Sequence, residues 1–303
     1  LAGVWFYHHT PQQYEKRGDA QFERGRYGAA HTAYYQALRR TDNEHRKSAL
    51  HVKLAESLVN YRVDDFDLMA ANVARALTQL DKAFTFHPTK AGLSKRLLQQ
   101  YLDYARELET PTAWQALYAR ASKVLDQNAT DLWARRYRAI AGSALMRFGS
   151  LPKPDRDTVG KELTAAREKA PDDQEINTAL ATFLLARARH NRNEGLTQTA
   201  DRLIQESRSV SKAFCDRQSD SLSAQVDGAR LELLIATFFP EHTHDRELLE
   251  SIEALVDKIT ATEAASPAIT LAGALLQKEA DLLASKSAAV DRVQLQRLAT
   301  PLV

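Results

Sequence analysis

The segment GDAQFERGRYGAAHTAYYQAL, residues 18–38, decides the fold. Its small residues, Gly18, Gly25, Ala30, Ala33 and Ala37, stand where a helix ordinarily carries larger side chains. Tyr34 lies between two of them, four residues after Ala30 and three before Ala37. Helices whose backbones approach closely admit only glycine or alanine at the crossing, and a large residue three or four positions along fills the space beside it. The segment therefore reads as a helical hairpin made for close contact.

The pattern recurs. Ala30–Tyr34–Ala37 is followed by Ala76–Leu80–Ala83 and Val159–Leu163–Ala166, with weaker copies at Leu117–Ala121–Val124 and Ala200–Ile204–Ser207. The anchors 30, 76, 117, 159 and 200 are separated by 46, 41, 42 and 41 residues, a period near 41 and the mark of a repeat architecture. Two copies end in a proline five residues on, Pro88 and Pro171. Between the copies, apolar residues recur at offsets of three and four, as in Leu93, Leu97, Leu98, Tyr101, Leu102, Ala105 and Leu108. No segment sustains the period-two alternation of a strand. Asp42-Asn43, Thr110-Pro111, Asp172-Asp173 and the stop Gly149-Ser150-Leu151-Pro152 carry the residues that end one helix and cap the next. The expectation is an all-α chain of roughly a dozen helices arranged in pairs.

At residues 14–42 the sequence resembles a tetratricopeptide repeat. Tyr14, Gly18, Gly25-Arg26-Tyr27, Ala30, Tyr34 and Ala37-Leu38 fall at that motif's aromatic, glycine, turn and small-large-small positions. VGKELTAAREKAPDD (159–173) and ALTQLDKAFTFHPT (76–89) resemble the close of such a repeat. The likeness runs over residues 14–210 as five degenerate helix pairs. It departs from the family in a period near 41 rather than about 34, and in residues 211–303, where no copy is recognisable. Related helical-hairpin repeats stay open as an alternative. The resemblance implies a right-handed superhelical solenoid of antiparallel hairpins, with residues 211–303 as further or capping hairpins. It also implies a concave groove that binds a peptide or helix of another protein.

The bulk properties agree with a folded binding protein. Apolar residues make up 44% of the 303 and charged residues 26%, with only 11 glycines and 9 prolines. The net charge of +2 lacks the basic excess of a nucleic-acid binder, so nucleic acid is not the favoured partner. A lone cysteine, Cys215, excludes an internal disulfide and a zinc site built on several cysteines. Position 1 is Leu rather than Met, which implies that the natural start lies upstream. Two readings of the apolar LAGVWFYHH (1–9) stand open: the last turns of a membrane anchor, or a segment packed on the first repeat. With an anchor at residues 1–13, the expectation is a membrane-associated bacterial scaffold on the periplasmic side; without one, a cytoplasmic protein.

The best candidate surface is DLWARRYRAIAGSALMRF, residues 131–148. In the resembled motif Trp133, Arg136 and Ile140 point into the groove, joined by Gln99, Arg106, Thr178 and Thr182. Arg135, Arg136 and Arg138 form a positive cluster beside Trp133 and Tyr137 that suits a carboxylate or an acidic or C-terminal peptide segment. The competing reading is a solvated helix face with two packed aromatics. Arg187, Arg189 and Arg192 near His190 repeat the theme at a helix C-terminus, where positive charge is favourable in any case. Glu241, His242, His244 and Asp245 have a His-x-His spacing without a further ligand cluster, and Asp64-Asp65-Phe66-Asp67 lacks the rest of a calcium loop. No phosphate-binding glycine loop, nucleophile elbow or His-Glu-x-x-His is present, so no catalysis, metal or cofactor is expected. The competing functional reading is a regulatory module that binds a small ligand or nucleic acid between the repeat half and residues 211–303.

Overall fold

The computed structural model describes residues 10–61, 66–86, 92–242, 245–262 and 266–284. The apolar start, His8-His9, Asp64-Asp65 and His244 lie outside them. The described residues form α-helices, one short 3-10 turn at Pro240–His242 and no strand. In chain order the helices are α1 Pro11–Glu23, α2 Tyr27–Leu38, α3 Glu44–Asn60, α4 Phe66–Phe86, α5 Leu93–Leu108, α6 Pro111–Gln127 and α7 Leu132–Arg147. They continue as α8 Lys153–Lys169, α9 Gln174–Asn193, α10 Thr197–Arg217, α11 Leu222–Phe238, α12 Asp245–Ala261 and α13 Pro267–Ala284. All-α, as the periodicity required.

Two compact units share the chain. One holds the residues up to 104 together with 120–134, the other 105–119 together with the residues from 135 on. In the first unit α1 packs on α2, α2 on α3 and α3 on α4. In the second, α8 to α13 each pack on the next except α13 at the end, and α9 also meets α11, and α11 meets α13. The core of each unit falls where the repeat places it. Ala30, Tyr34 and Ala37 are buried, as are Ala76, Leu80 and Ala83, Leu117, Ala121 and Val124, and Ala200, Ile204 and Ser207. Val159 and Leu163 are buried too, and only Ala166 is half-exposed. The serine at position 207 keeps the small-residue rule and spends its hydroxyl on the Ala181 carbonyl, 2.8 Å away on α9. α10 runs unbroken through residues 210 and 211.

The small residues of the opening segment divide into two jobs. Gly18 is a crossing: a Cβ built on it would lie 2.4 Å from the Tyr34 ring of α2. That ring is fixed, because Tyr34 donates to Asp19 at 2.9 Å and Lys53 lies 5.6 Å from the ring centroid. Gly25 is a turn. Nothing lies within 4 Å of its absent side chain, and its φ of +71° is the left-handed conformation glycine takes without strain. The Gly25 N–H donates to Phe22 and the Arg26 N–H to Gln21, both at 2.9 Å, the paired bonds that close a helix C-terminus. α7 and α9 close in the same way on Gly149 and Gly195.

The helix starts are equally local. Asn43, Asp173 and Ser221 accept from the backbone N–H three residues on, at 2.9, 3.1 and 3.3 Å. The first two are caps legible in the sequence; Ser221 is one of several serines between residues 207 and 223, and nothing in the sequence singles it out.

Gly142 on α7 repeats the Gly18 contact in the second unit. Its Cβ would fall 2.4 Å from Cγ2 of Val159, a buried and β-branched side chain that has no free rotamer to retreat into. Gly142→Ala and Gly18→Ala are each expected to lower the unfolding free energy by about 1–3 kcal/mol, whereas Gly28→Ala, whose Cβ would sit 3.6 Å from Tyr61, is expected to be neutral or stabilising. Chemical denaturation of the three variants checks this; equal losses at all three positions would show that the crossings are not tight.

Candidate functional site

The residues that the sequence assigns to a binding face do not share one environment. Ile140 is buried at 6% exposure and belongs to the core. Arg136 is tied down: it donates to Asp173, and its Nη2 lies 2.7 Å from Glu175 and 3.1 Å from the second Asp173 oxygen. Arg106 donates to the other oxygen of the same Glu175. Burial alone would depress the Arg136 pKa, but the bonds to these two carboxylates outweigh it and hold it above the ordinary value. Asp173 does double service, because one of its oxygens also caps α9. Two arginines and two acids thus make a network inside the second unit, with the Arg106 Nε left buried without a hydrogen bond among the described residues.

Thr178 and Thr182 face inward within the same unit. The Thr178 hydroxyl donates to Asp227 at 2.9 Å, and the Thr182 hydroxyl to the Thr178 carbonyl at 2.8 Å. Gln99 donates to Asp103 one turn along α5. Two of the named residues, Trp133 and Arg135, are exposed. Trp133 is 41% exposed beside Leu132 at 61%, and the Lys95 ammonium of the first unit sits over the Trp133 ring at 3.9 Å from its centroid.

The arginines of α9 part company. Arg187 reaches Asp157 at 2.8 Å and Arg192 donates to Glu241. Arg189 instead lays its guanidinium over the Phe238 ring, 4.4 Å from the centroid. Arg189 belongs to a cleft of about 410 Å³ lined by residues of α7 and its end, α9 and α11. Arg147, His190, Met146, Leu185, Leu234 and Phe238 are further walls, and none of the lining residues is acidic. Arg147 keeps a quarter of its side-chain surface exposed and pairs only loosely with Glu109, at 3.7 Å. Burial lowers its pKa, opposed by Glu109. Glu109 itself has a φ of +44°, the left-handed position that glycine occupies at the other hairpin turns. The sequence carries only part of the signal for this cleft: Arg189 and His190 are neighbours on one helix, whereas Arg147, Leu234 and Phe238 are brought to them by packing.

A smaller polar layer adjoins Arg147. Asp227 accepts from Gln174 at 2.8 Å and from Thr178, and Arg230 pairs with Glu279 at 3.4 Å. Burial pushes the Asp227 carboxyl above its usual range in spite of those bonds, and the Glu279 carboxyl likewise. Cys215 is packed, its thiol 3.2 Å from the Ala224 carbonyl and raised in pKa by burial. His242 pairs with Asp201 at 3.0 Å. Among the described residues no group of three or more His, Cys, Asp or Glu is placed to hold a metal ion, and no helix is long and apolar enough to cross a membrane. The chain matches no protein-family model and no curated protein at a significant level.

Two outcomes follow from these contacts. Arg136→Glu sets a third carboxylate against Asp173 and Glu175 and is expected to cost about 1–3 kcal/mol of stability, read by denaturant unfolding; an unchanged midpoint would mean the network is ornamental. Asp227 supplies a pH signature. Its unfolded carboxyl ionises first, so above the ordinary value of 3.8 the native state holds the extra proton and stability falls as pH rises to the raised value. Asp227→Asn is expected to flatten that fall in unfolding curves taken from pH 3.8 upward; an identical slope would show that Asp227 titrates normally.

Proposed function

We propose that this chain is a non-catalytic, tetratricopeptide-like interaction scaffold, a right-handed solenoid that holds a segment of a partner protein against the first helices of its pairs. The observation that carries the reading is the exposed Leu132–Trp133 step at the start of α7, with Lys95 stacked on the indole. Tryptophan is over-represented among the residues that dominate binding energy at protein interfaces. A lysine on its ring adds a cation, and among the described residues Lys95 has no carboxylate partner. The fit is to an acidic partner segment. The repeat period and the burial of its anchor positions support the family likeness. Attachment to a membrane, with the scaffold on the periplasmic side, remains part of the proposal through the aromatic start of the sequence.

A second reading has its own observation. The Arg147–Arg189 cleft joins α7 and α9 of the repeat half to Leu234 and Phe238 of the C-terminal third, where a regulatory small ligand would bind.

Trp133→Ser combined with Lys95→Glu tests the scaffold. Both side chains lie at the surface, so stability is expected to stay within about 0.5 kcal/mol of the parent, while a protein captured from the source lysate by the parent chain is lost. Retention of the same proteins by the variant would move the binding face elsewhere.

A further inference from the structure

Arginines of the second unit are, as a rule, consumed by the protein itself. Arg136, Arg138, Arg192, Arg208, Arg217 and Arg230 each close a pair with a carboxylate. The cleft between α7, α9 and α11 departs from that rule twice. Arg189 has an aromatic ring as its contact and, among the described residues, no carboxylate. Arg147 has Glu109 at 3.7 Å, beyond hydrogen-bond length, and among the described residues no closer acceptor. A guanidinium carries five N–H donors, and those of a half-buried one are costly to leave unmet. His190 adds to the account: its Nε2 is buried without a hydrogen bond among the described residues, although Glu194 stands 3.1 Å away at an unfavourable angle.

The charged groups that face these donors are few. Glu109 lies by Arg147, Glu194 by His190, and Arg230 repels Arg147 from the neighbouring layer, where it is paired with Glu279. The cleft lining itself has two guanidinia, an imidazole and no acid, so its field favours an anion. The rest of the lining is apolar: Met146, Phe148, Leu185, Ala186, Leu234 and Phe238. The volume of about 410 Å³ falls in the range of small-molecule sites rather than of extended peptide grooves. A planar guanidinium matches a carboxylate with two parallel hydrogen bonds.

We propose that this cleft binds a small amphipathic carboxylate, its head group on Arg147 and Arg189 and its aliphatic or aromatic body against Met146, Leu185, Leu234 and Phe238. The proposal rests on the small-ligand reading and names its ligand class. The head group gives Arg189 the carboxylate it lacks and brings Arg147 one nearer than Glu109. The body buries apolar wall that the helices leave uncovered.

The test uses the whole chain and four probes by calorimetric titration: octanoate, octanamide, inorganic phosphate, and the peptide acetyl-Gly-Gly-Leu with a free C-terminus. Octanoate is expected to bind at least roughly tenfold more tightly than octanamide or phosphate, the size of one lost charge-assisted hydrogen bond. Arg189→Gln, an exposed position, is expected to weaken octanoate by a similar factor with the melting temperature of the free protein unchanged; Arg147→Gln should do the same if it folds. Equal binding of octanoate and octanamide overturns the anion site while leaving a small-ligand pocket. A peptide that binds tenfold more tightly than octanoate overturns the small-ligand reading and gives the cleft to the scaffold. No binding by any probe, or octanoate binding unaffected in Arg189→Gln, overturns the proposal outright.

Discussion

A backbone pressed against a side chain that cannot move is the constraint on which the rest depends. At Gly18 the obstacle is the Tyr34 ring, and at Gly142 it is the isopropyl group of Val159. Gly228 against the Cys215 sulfur and Gly273 against Ile259 extend the series to the last helices described. Each such contact sets how near two helices lie, and through that how deeply the residue opposite is buried. Close approach also lets a short hydroxyl reach a neighbouring helix, as Ser48 reaches the Ala83 carbonyl at 3.0 Å and Ser143 that of Ala179 at 2.7 Å. Helices farther apart would strand those hydroxyls in apolar surroundings.

Polar groups then take over what the crossings begin. Arg136, Arg106, Asp173 and Glu175 join α5, α7 and α9, and Gln174 and Thr178 join α9 to Asp227 on α11. The apolar faces say that helices must stack; these pairs say which residue meets which. Satisfied pairs leave little charge for a visitor. The exceptions are Arg189, which has an aromatic ring in place of a carboxylate, Arg147, with Glu109 only at 3.7 Å, and the partly exposed Trp133 under Lys95.

The fold was legible in the sequence because its causes are local. Crossing positions lie three and four residues apart on one helix, and caps such as Asn43 and Asp173 sit within a turn of the N–H groups they accept from. The site was legible in fragments. Arg135, Arg136 and Arg138 read as a cluster because they are neighbours in sequence. Yet Arg136 is neutralised by Asp173, which is 37 residues away and almost one period downstream. The Arg147 cleft offered no such signal, since Leu234 and Phe238 come from the region where the repeat pattern fades.

The turns that close α1, α7 and α9 have a consequence of a different kind. Each ends the first helix of a pair with bonds drawn from that helix and the three residues after it, borrowing nothing from any other helix. A hairpin whose turn closes on its own terms is set locally, whatever stands on either side of it. Residues can be gained or lost between pairs without disturbing the packing inside them, which is how spacings of 46, 41, 42 and 41 coexist in one chain. The length between pairs can then vary while the crossings, which depend on residues three and four apart on one helix, stay where they are.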